Sequence, residues 1–162
     1  MEGRVYIMSE FSFETEILYS QIALFQYGID NPFNDWNETH INQGFSWRDG
    51  SVSFGTLSSD IDCKITVNLT EKIEIEQDII RAIVVPFKVE KGGIEIGSVM
   101  ETITIDIPEG TYEVLFTAKS LNSTEYYTFS FIENENPNAK VLKADDELNL
   151  PDNLLMEATP AI

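Results

Sequence analysis

The stretch that decides the fold is ITIDIPEGTYEVLF, residues 103–116. Apolar and polar residues alternate from Ile103 to Ile107, which is the period-two pattern of a strand with one buried face. Pro108-Glu109-Gly110 is a turn signal, and a second run of β-branched and aromatic residues begins at Tyr112. The segment therefore predicts two consecutive strands joined by a short turn.

The same alternation recurs along most of the chain, and turn signals separate the runs. Asp49-Gly50 lies between two short apolar runs and is typical of a hairpin, because glycine tolerates a positive φ. Lys91-Gly92-Gly93 separates a run that begins at Ile79 from Ile94-Glu95-Ile96. Counting Glu16 to Gln26 as one strand, the sequence predicts an all-β fold, an antiparallel β-sandwich of about eight strands.

One short helix is expected in the polar segment before Gly44. Asn34 or Asp35 can act as its N-cap, and Gly44 closes it. Spacings of four and five residues put three side chains on roughly one face of this helix: Trp36, His40 and Ile41. The segment is barely two turns long, so an irregular loop remains the alternative.

The strand pattern stops near residue 132, and sequence rich in Asn, Pro and acids follows. We therefore divide the chain into a β-sandwich domain, residues 1–132, and an acidic C-terminal extension, residues 133–162. Asp145-Asp146-Glu147 is followed by several leucines around Pro151. The extension is either an extended or partly disordered tail laid on the domain or a segment that docks into a partner.

The charge balance is strongly negative. The chain has 10 Lys and Arg against 28 Asp and Glu, a net charge of −18. Such a chain is not expected to bind DNA, RNA or an anionic membrane directly, because phosphate contacts need clustered cations. It favours a basic protein surface as partner, although a solubilising surface accounts for the acids equally well. Between Arg4 and Arg48 there are six acids and no Lys or Arg.

Composition also excludes several kinds of chemistry. The single cysteine, Cys63, excludes a disulfide within the chain, and the single histidine, His40, removes most histidine-centred catalysis and any multi-histidine metal site. No apolar run approaches the roughly 20 residues of a membrane helix, and the first ten residues do not resemble a signal peptide. We expect a cytoplasmic protein that is not an enzyme, holds no cofactor or metal and does not insert into membranes.

Two alternatives remain open. Oxygen-bearing side chains cluster in one polar segment that lacks the EF-hand pattern but could bind calcium: Asp30, Asn31, Asn34, Asp35 and Glu38. Trp36, Trp47 and nearby Phe residues beside Asp35 and Asp49 could line a carbohydrate cleft. The alternative function is therefore a calcium- or carbohydrate-binding β-sandwich module, and a carboxylate-based hydrolase ranks third.

An ordered series of short motifs, between about Glu16 and about Ile132, resembles the competence protein J family. The motifs are Asp35-Trp36, Gly44-Phe45, Asp49-Gly50, Ser53-Phe54, Val85-Pro86-Phe87-Lys88-Val89, Gly93-Ile94-Glu95-Ile96, Ser98-Val99-Met100 and residues 106–112. Their order and spacing carry the resemblance. The chain before Glu16 and after about Ile132 extends beyond the family pattern.

The resemblance implies a small acidic protein that binds and silences a secreted or membrane-associated, metal-dependent DNA endonuclease. Related proteins resemble immunity partners that protect a producer from its own toxin. The implied partner is thus a basic nuclease or nuclease toxin, blocked stoichiometrically at its DNA-binding or catalytic site.

Most of the motif residues look structural, so they are poor candidates for the interface. Phe54, Phe87 and Ile94 fit the core, and Pro86 fits a strand edge or bulge. The better candidates are acids near the one irregular segment: Asp30, Asp35, Glu38 and Asp49. Trp36 is either an aromatic anchor of the interface or a core residue.

Overall fold

The described residues form a sandwich of two six-stranded sheets with one short helix, α1 (Glu38–Gln43). The computed structural model describes residues 4–6 and 10–161; the opening residues that bear on the expected cytoplasmic location lie largely outside these ranges. The strands, in chain order, are β1 (Arg4–Tyr6), β2 (Glu10–Glu16), β3 (Gln21–Gln26), β4 (Phe45–Arg48), β5 (Ser51–Gly55), β6 (Asp62–Thr70), β7 (Arg81–Val89), β8 (Ile94–Ser98), β9 (Glu101–Asp106), β10 (Gly110–Leu121), β11 (Thr124–Glu133) and β12 (Lys140–Lys143).

The sheets confirm the predicted all-β sandwich and add detail to it. The first has the order β1-β9-β8-β3-β5-β4 and the second the order β12-β7-β10-β11-β6-β2. The pairs β1–β9 and β6–β11 are parallel, and the other pairs are antiparallel. The described residues form twelve strands rather than about eight. Strands as short as β1 and β12 contain too few residues to show a recognisable alternation of apolar and polar side chains.

The alternation predicted one strand from Glu16 to Gln26, and this prediction is wrong. Tyr19 and Ser20 have φ of 58° and 55°, a left-handed conformation that ends strand pairing. The backbone N–H of Gln21 donates to the carbonyl of Leu18 and closes a turn there. The chain thereby leaves the second sheet after β2 and enters the first at β3, so the side chain of Tyr19 stands at a corner of the sandwich.

Aromatic side chains fill the space between the sheets. Phe54 of β5 stacks on Phe116 of β10, with ring centroids 4.4 Å apart, and packs edge-on against Phe129 of β11. All three are fully buried, and Phe87 and Ile94 are buried as predicted. Alternate residues of β11 are buried from Glu125 to Phe131, as a strand with one core-facing side requires.

Pro86 lies inside β7 at a place where β7 has one partner strand. It is in register with Glu113 of β10, whereas β12 pairs with β7 only at Ala82, Ile83 and Val84. Because proline cannot donate to a ladder, this local edge accommodates it, as the sequence predicted.

The helix begins later than predicted. Its N-cap is Asn37, whose side chain accepts the backbone N–H of His40, while His40 Nδ1 accepts the backbone N–H of Asn37. Trp36 therefore precedes the helix, and the predicted common face is wrong: His40 is 3% exposed and Ile41 is 60% exposed. Gly44 ends the helix at φ 92°, as predicted. No helix in the described part of the chain is long and apolar enough to span a bilayer.

The segment after Glu133 lies against the sandwich. Its strand β12 pairs with β7. Farther on, Leu154 and Met156 pack against the main core, and the backbone N–H of Ala161 donates to the carbonyl of Phe33. The C-terminal segment thus runs beside the polar stretch that contains α1.

Candidate functional site

The loop before α1 is held against the β4–β5 hairpin by a buried amide. Asn34, only 3% exposed, donates from Nδ2 to the carbonyls of Ser46 at 2.8 Å and Ser51 at 3.1 Å. Its Oδ1 accepts from Arg48 Nε at 2.7 Å. An amide that satisfies two carbonyls and a guanidinium defines the path of the loop, since leaving any of them unpaired would be costly.

The structure places the predicted interface residues on this loop, the start of α1 and the hairpin turn. Asp30, Asp35, Glu38 and Asp49 are all exposed, and Trp36 is half-buried. Asp35, Trp36 and Glu38 lie together at the start of α1. The half-burial of Trp36 does not decide between an interface anchor and a core residue, and both remain predictions.

Asp30 and Asp49 lie at the other end of the loop. A Cβ added at Gly50 would lie 2.9 Å from Ile29 Cδ1, so the hairpin turn and the loop are in contact one residue away from each carboxylate. Asp49 also lines a groove with Trp47, whose indole N–H donates to the carbonyl of Pro86 at 2.7 Å. The predicted acids therefore lie at the two ends of one loop, Asp35 and Glu38 at the start of α1 and Asp30 and Asp49 beside the hairpin turn.

A cleft of about 510 Å³ lies beside Trp36. Its lining residues come from five parts of the chain: Tyr19, Ser20, Gln21, Trp36, Ile41, Gly44, Gly55, Thr56, Arg81, Glu147 and Leu148. Tyr19 is 74% exposed, whereas the indole N–H of Trp36 is turned to Gln21 Oε1 at 3.3 Å. Most of the accessible wall of the cleft is apolar, and Trp36 is held in place by its hydrogen bond to Gln21.

At the base of this cleft lies a buried ion pair. Arg81, 3% exposed, donates from Nε and Nη2 to the two carboxylate oxygens of Asp145 at 2.7 and 2.9 Å, and from Nη1 to the carbonyl of Gly55 at 2.8 Å. Glu147 Oε1 lies 3.5 Å from Nη2. Burial alone would raise the pKa of the Asp145 carboxyl, but the hydrogen bonds and charge of Arg81 hold its pKa below the ordinary value.

The C-terminal segment is fastened to α1 by side chains of the helix. Gln43, fully buried, donates from Nε2 to the carbonyl of Leu155 at 2.9 Å and accepts the backbone N–H of the same residue at 2.8 Å. His40 Nε2 lies 2.8 Å from the carbonyl of Glu157. The backbone N–H of Asp35 donates to the carbonyl of Thr159 at 2.8 Å.

His40 and Cys63 both have structural surroundings. Nδ1 of His40 accepts a backbone N–H, so Nε2 carries the proton that it donates to Glu157. Cys63 is 2% exposed, and burial, together with Glu125 and Asp62, raises the pKa of its thiol to about 12. Both ring nitrogens of His40 are engaged, and the thiol of Cys63 is protonated at neutral pH.

The oxygen-bearing segment that could bind calcium is occupied by protein contacts. The Asn34 side chain is committed to the hairpin, and Arg48 Nη2 donates to the carbonyl of Asn31 at 2.5 Å. A guanidinium between these oxygens repels a cation. Among the described residues, no group of three or more His, Cys, Asp or Glu side chains could hold a metal ion.

Three residues of the cleft were missed by the sequence analysis: Tyr19, Arg81 and Glu147. Arg81 had a readable signal, because a single cation inside the apolar run from Ile79 to Val85 requires a buried partner. Tyr19 follows two adjacent apolar residues, Ile17 and Leu18, which interrupt the alternation. Nothing near Glu147 in the sequence indicates that it meets Arg81, because only the fold brings them together.

Comparison with known proteins points to one family. The family model "Competence protein J (ComJ)" matches residues 14–132. A curated relative from Bacillus subtilis strain 168, a DNA-entry nuclease inhibitor, is 30% identical over 109 residues, which are 62% of this chain and 76% of the relative. The crystal structure of ComJ from Bacillus subtilis, described as an inhibitor of the DNA degrading activity of NucA, matches with a TM-score of 0.69 at 25% identity, over 76% of this chain and 95% of that chain.

Proposed function

Because the chain belongs to the competence protein J family, we propose that it is a stoichiometric protein inhibitor of a DNA-degrading nuclease of the DNA-entry type. One observation carries the proposal. The family match extends from residue 14 to residue 132, which covers β3 to β10, all of β11 except its last residue, and the whole loop that bears the exposed acids. The Bacillus subtilis relatives in this family are named as inhibitors of such a nuclease.

In this proposal the protein acts by binding rather than by catalysis. Its acidic loop and hairpin turn present carboxylates to the basic residues with which the nuclease holds or cleaves DNA. Occupying those residues excludes the substrate, because DNA is bound largely through its phosphates. The nuclease is therefore expected to be basic and metal-dependent, and the inhibitor to make no contact with nucleic acid of its own.

The net charge of −18 supports this mechanism in two ways. A strongly negative field steers a positive partner toward the complex and raises the association rate. It also keeps the inhibitor away from DNA, so that the nuclease and not its substrate is the target. Ligation of the catalytic metal by one of the inhibitor carboxylates is a variant of the same mechanism.

The test is a titration of plasmid cleavage by NucA of Bacillus subtilis, the nuclease whose activity the solved relative inhibits. We expect activity to fall linearly and to vanish near one inhibitor per nuclease, with a complex of both proteins in size-exclusion chromatography. Cleavage that persists at a large excess of inhibitor, with no complex, would overturn the proposal for this nuclease class.

Two matched variants distinguish the contribution of the acidic loop to inhibition from the contribution of the overall net charge. The first removes the four predicted carboxylates as Asp30→Asn, Asp35→Asn, Glu38→Gln and Asp49→Asn. The control removes four other exposed carboxylates as Glu71→Gln, Glu109→Gln, Glu133→Gln and Glu135→Gln. Both change the net charge equally, so a larger loss of inhibition in the first variant assigns the interface to the loop and hairpin.

A further inference from the structure

The cleft beside Trp36 combines features that the acidic loop alone does not explain. Two large apolar side chains on its rim face solvent: Tyr19 is 74% exposed and Ile41 is 60% exposed. Exposing both costs solvation free energy, and neither is needed to fill the core. The turn that carries Tyr19 is fixed by a hydrogen bond, in which the carbonyl of Ser20 accepts the backbone N–H of Thr56 at 3.0 Å. The exposed position of the Tyr19 side chain is therefore set by the backbone.

The charged groups around the cleft have a net negative charge. Arg81 is the single cation among its lining residues, and it is 3% exposed and bound by both oxygens of Asp145. Glu147, on the rim, is 64% exposed. Glu38 is three residues before Ile41 and therefore on the same side of α1. Arg81 faces two carboxylates, those of Asp145 and Glu147, so an entering group meets apolar walls and one excess negative charge on an exposed rim.

The other groove near the predicted site has no exposed large apolar side chain among its lining residues. The groove beside Asp49 is lined by Trp47 and Pro86 but also by Lys88, whose side chain is exposed. The indole N–H of Trp47 is already bonded to Pro86. Asp49 and Glu90 offset the charge of Lys88, so the two grooves differ in their exposed apolar side chains rather than in the sign of their charge.

We propose that the Trp36 cleft receives one arginine or lysine side chain of the nuclease. The aliphatic stem of that side chain lies against Ile41 and Trp36, and its cation reaches Glu147 and the face of Tyr19. Long basic side chains bury their stems on apolar surface while their heads seek carboxylates and aromatic rings. The proposal rests on the proposed function, because it takes the nuclease as the source of the basic side chain.

One wall of the cleft comes from outside the family match. Glu147 and Leu148 lie beyond residue 132, where that match ends. They are held in place by the Arg81–Asp145 pair and by the backbone N–H of Asn149, which donates to the carbonyl of Asn42 at 2.9 Å. The C-terminal segment thus contributes the carboxylate that selects a cation, which makes it a determinant of partner choice in this chain.

A first experiment needs no partner. The full-length protein is titrated with N-acetyl-arginine methylamide, and with the neutral isostere N-acetyl-citrulline methylamide, while NMR shifts are recorded. We expect saturable shifts at Tyr19, Trp36 and Ile41 with the arginine compound and weaker, non-saturating shifts with citrulline. Equal responses to both compounds, or none at the cleft, would overturn the proposal.

A second experiment measures inhibition of NucA by cleft variants. Ile41→Ala shortens an exposed helix residue, and Glu147→Gln removes the rim charge but keeps a hydrogen-bonding group beside Arg81. The matched controls are Leu121→Ala and Glu109→Gln, which change exposed residues on other loops. We expect each cleft variant to raise the inhibition constant by about tenfold or more, as interface anchors do, and each control by less than about twofold.

The outcomes of the two experiments are separable. Cleft variants that inhibit as well as the controls overturn the cleft as the anchor, even when the wild-type protein inhibits. A wild-type protein that does not inhibit the nuclease overturns the proposed function and removes the nuclease as source of the side chain. In that case the titration with the arginine compound still decides whether the cleft takes a basic group. Thermal melts verify that all four variants fold.

Discussion

At the residue scale, the buried Arg81–Asp145 pair is the contact with the largest consequence for stability. Two hydrogen bonds join the side chains, and neither partner is more than 13% exposed. Asp145→Ala would leave a buried guanidinium with only Glu147 and one carbonyl nearby. We expect a loss of about 3 kcal/mol in the free energy of unfolding, measured by urea denaturation.

The control for this prediction is the exposed pair of Lys72 and Glu74, whose side chains are 76% and 72% exposed. Glu74→Ala should change the free energy of unfolding by less than about 1 kcal/mol. Equal effects of the two substitutions would show that the Arg81 pair contributes no more than a surface contact.

The same pair predicts how stability depends on pH. The folded-state pKa of Asp145 lies below the ordinary value of 3.8. A depressed folded pKa stabilises the native state above the unfolded pKa, so this contribution is complete above about pH 5 and is lost as the pH falls through the folded pKa. The stability gap between wild type and Asp145→Asn should therefore be constant from pH 7 to 5 and narrow toward pH 3. A gap that widens in acid would contradict this assignment.

Cys63 yields a second prediction at this scale. Burial, with help from Glu125 and Asp62, raises the pKa of its thiol from 9.0 to about 12. This rise lowers the thiolate fraction at neutral pH about a thousandfold relative to a free thiol. Only the thiolate reacts, so the reactivity of Cys63 falls with that fraction. The reaction with Ellman's reagent should be slower by at least that factor in the native protein than in urea. Comparable rates in both solvents would show that β6 opens readily at Cys63.

At the scale of elements, helix α1 and the C-terminal segment depend on each other. Six residues are too few for an isolated helix, so α1 relies on its capping box and on contacts with its surroundings. Gln43 supplies three of these contacts, two to Leu155 and one to the carbonyl of Phe45. Helix α1 therefore holds the C-terminal segment against the sandwich through these hydrogen bonds.

Replacing this amide should release the segment. Gln43→Ala leaves the backbone groups of Leu155 without partners, and we expect faster cleavage by thermolysin within residues 144–161 and a stability loss of about 1–3 kcal/mol. The matched control is Asn42→Ala, because the contact of Asn42 with Asn149 uses its backbone carbonyl. Identical cleavage rates for the two variants would show that Gln43 does not hold the segment.

At the scale of the whole molecule, the net charge of −18 sets how the protein meets a partner. Most acids of the described residues are exposed, on strands as well as in loops, turns and the C-terminal segment, while the side chains between the sheets are mainly apolar and aromatic. Interaction between exposed charges is screened over about 8–10 Å at physiological salt. The packed core thus keeps the sandwich rigid, and the surface acids produce a negative electrostatic field whose range shortens as ionic strength rises.

Affinity for the nuclease should accordingly fall as salt rises. We expect the dissociation constant to increase steadily between low and high NaCl, mostly through a slower association rate. Calorimetry or surface plasmon resonance with the two proteins alone is the right measurement, because DNA binding by the nuclease depends on salt as well. A dissociation constant that does not change with salt would contradict the electrostatic mechanism.

Sequence by itself determined the fold class and the character of the surface. Strand alternation, as in residues 103–107, depends only on neighbours along the chain, and so do the turn signals at Asp49-Gly50 and Gly110. Charge and composition are equally local properties. For that reason the sandwich, the family resemblance and the exposure of Asp30, Asp35, Glu38 and Asp49 could all be read from residues.

Only the tertiary structure decided the N-cap of α1, the break at Tyr19-Ser20 and the Trp36 cleft. Asn34 could have capped the helix, but its amide is used by Ser46 and Ser51, which the hairpin brings to it. Arg81 and Asp145 are 64 positions apart in the chain and meet because β12 returns along β7. Buried polar groups must find hydrogen-bond partners once water is excluded, and these partners come from distant parts of the chain. A local sequence pattern does not identify them.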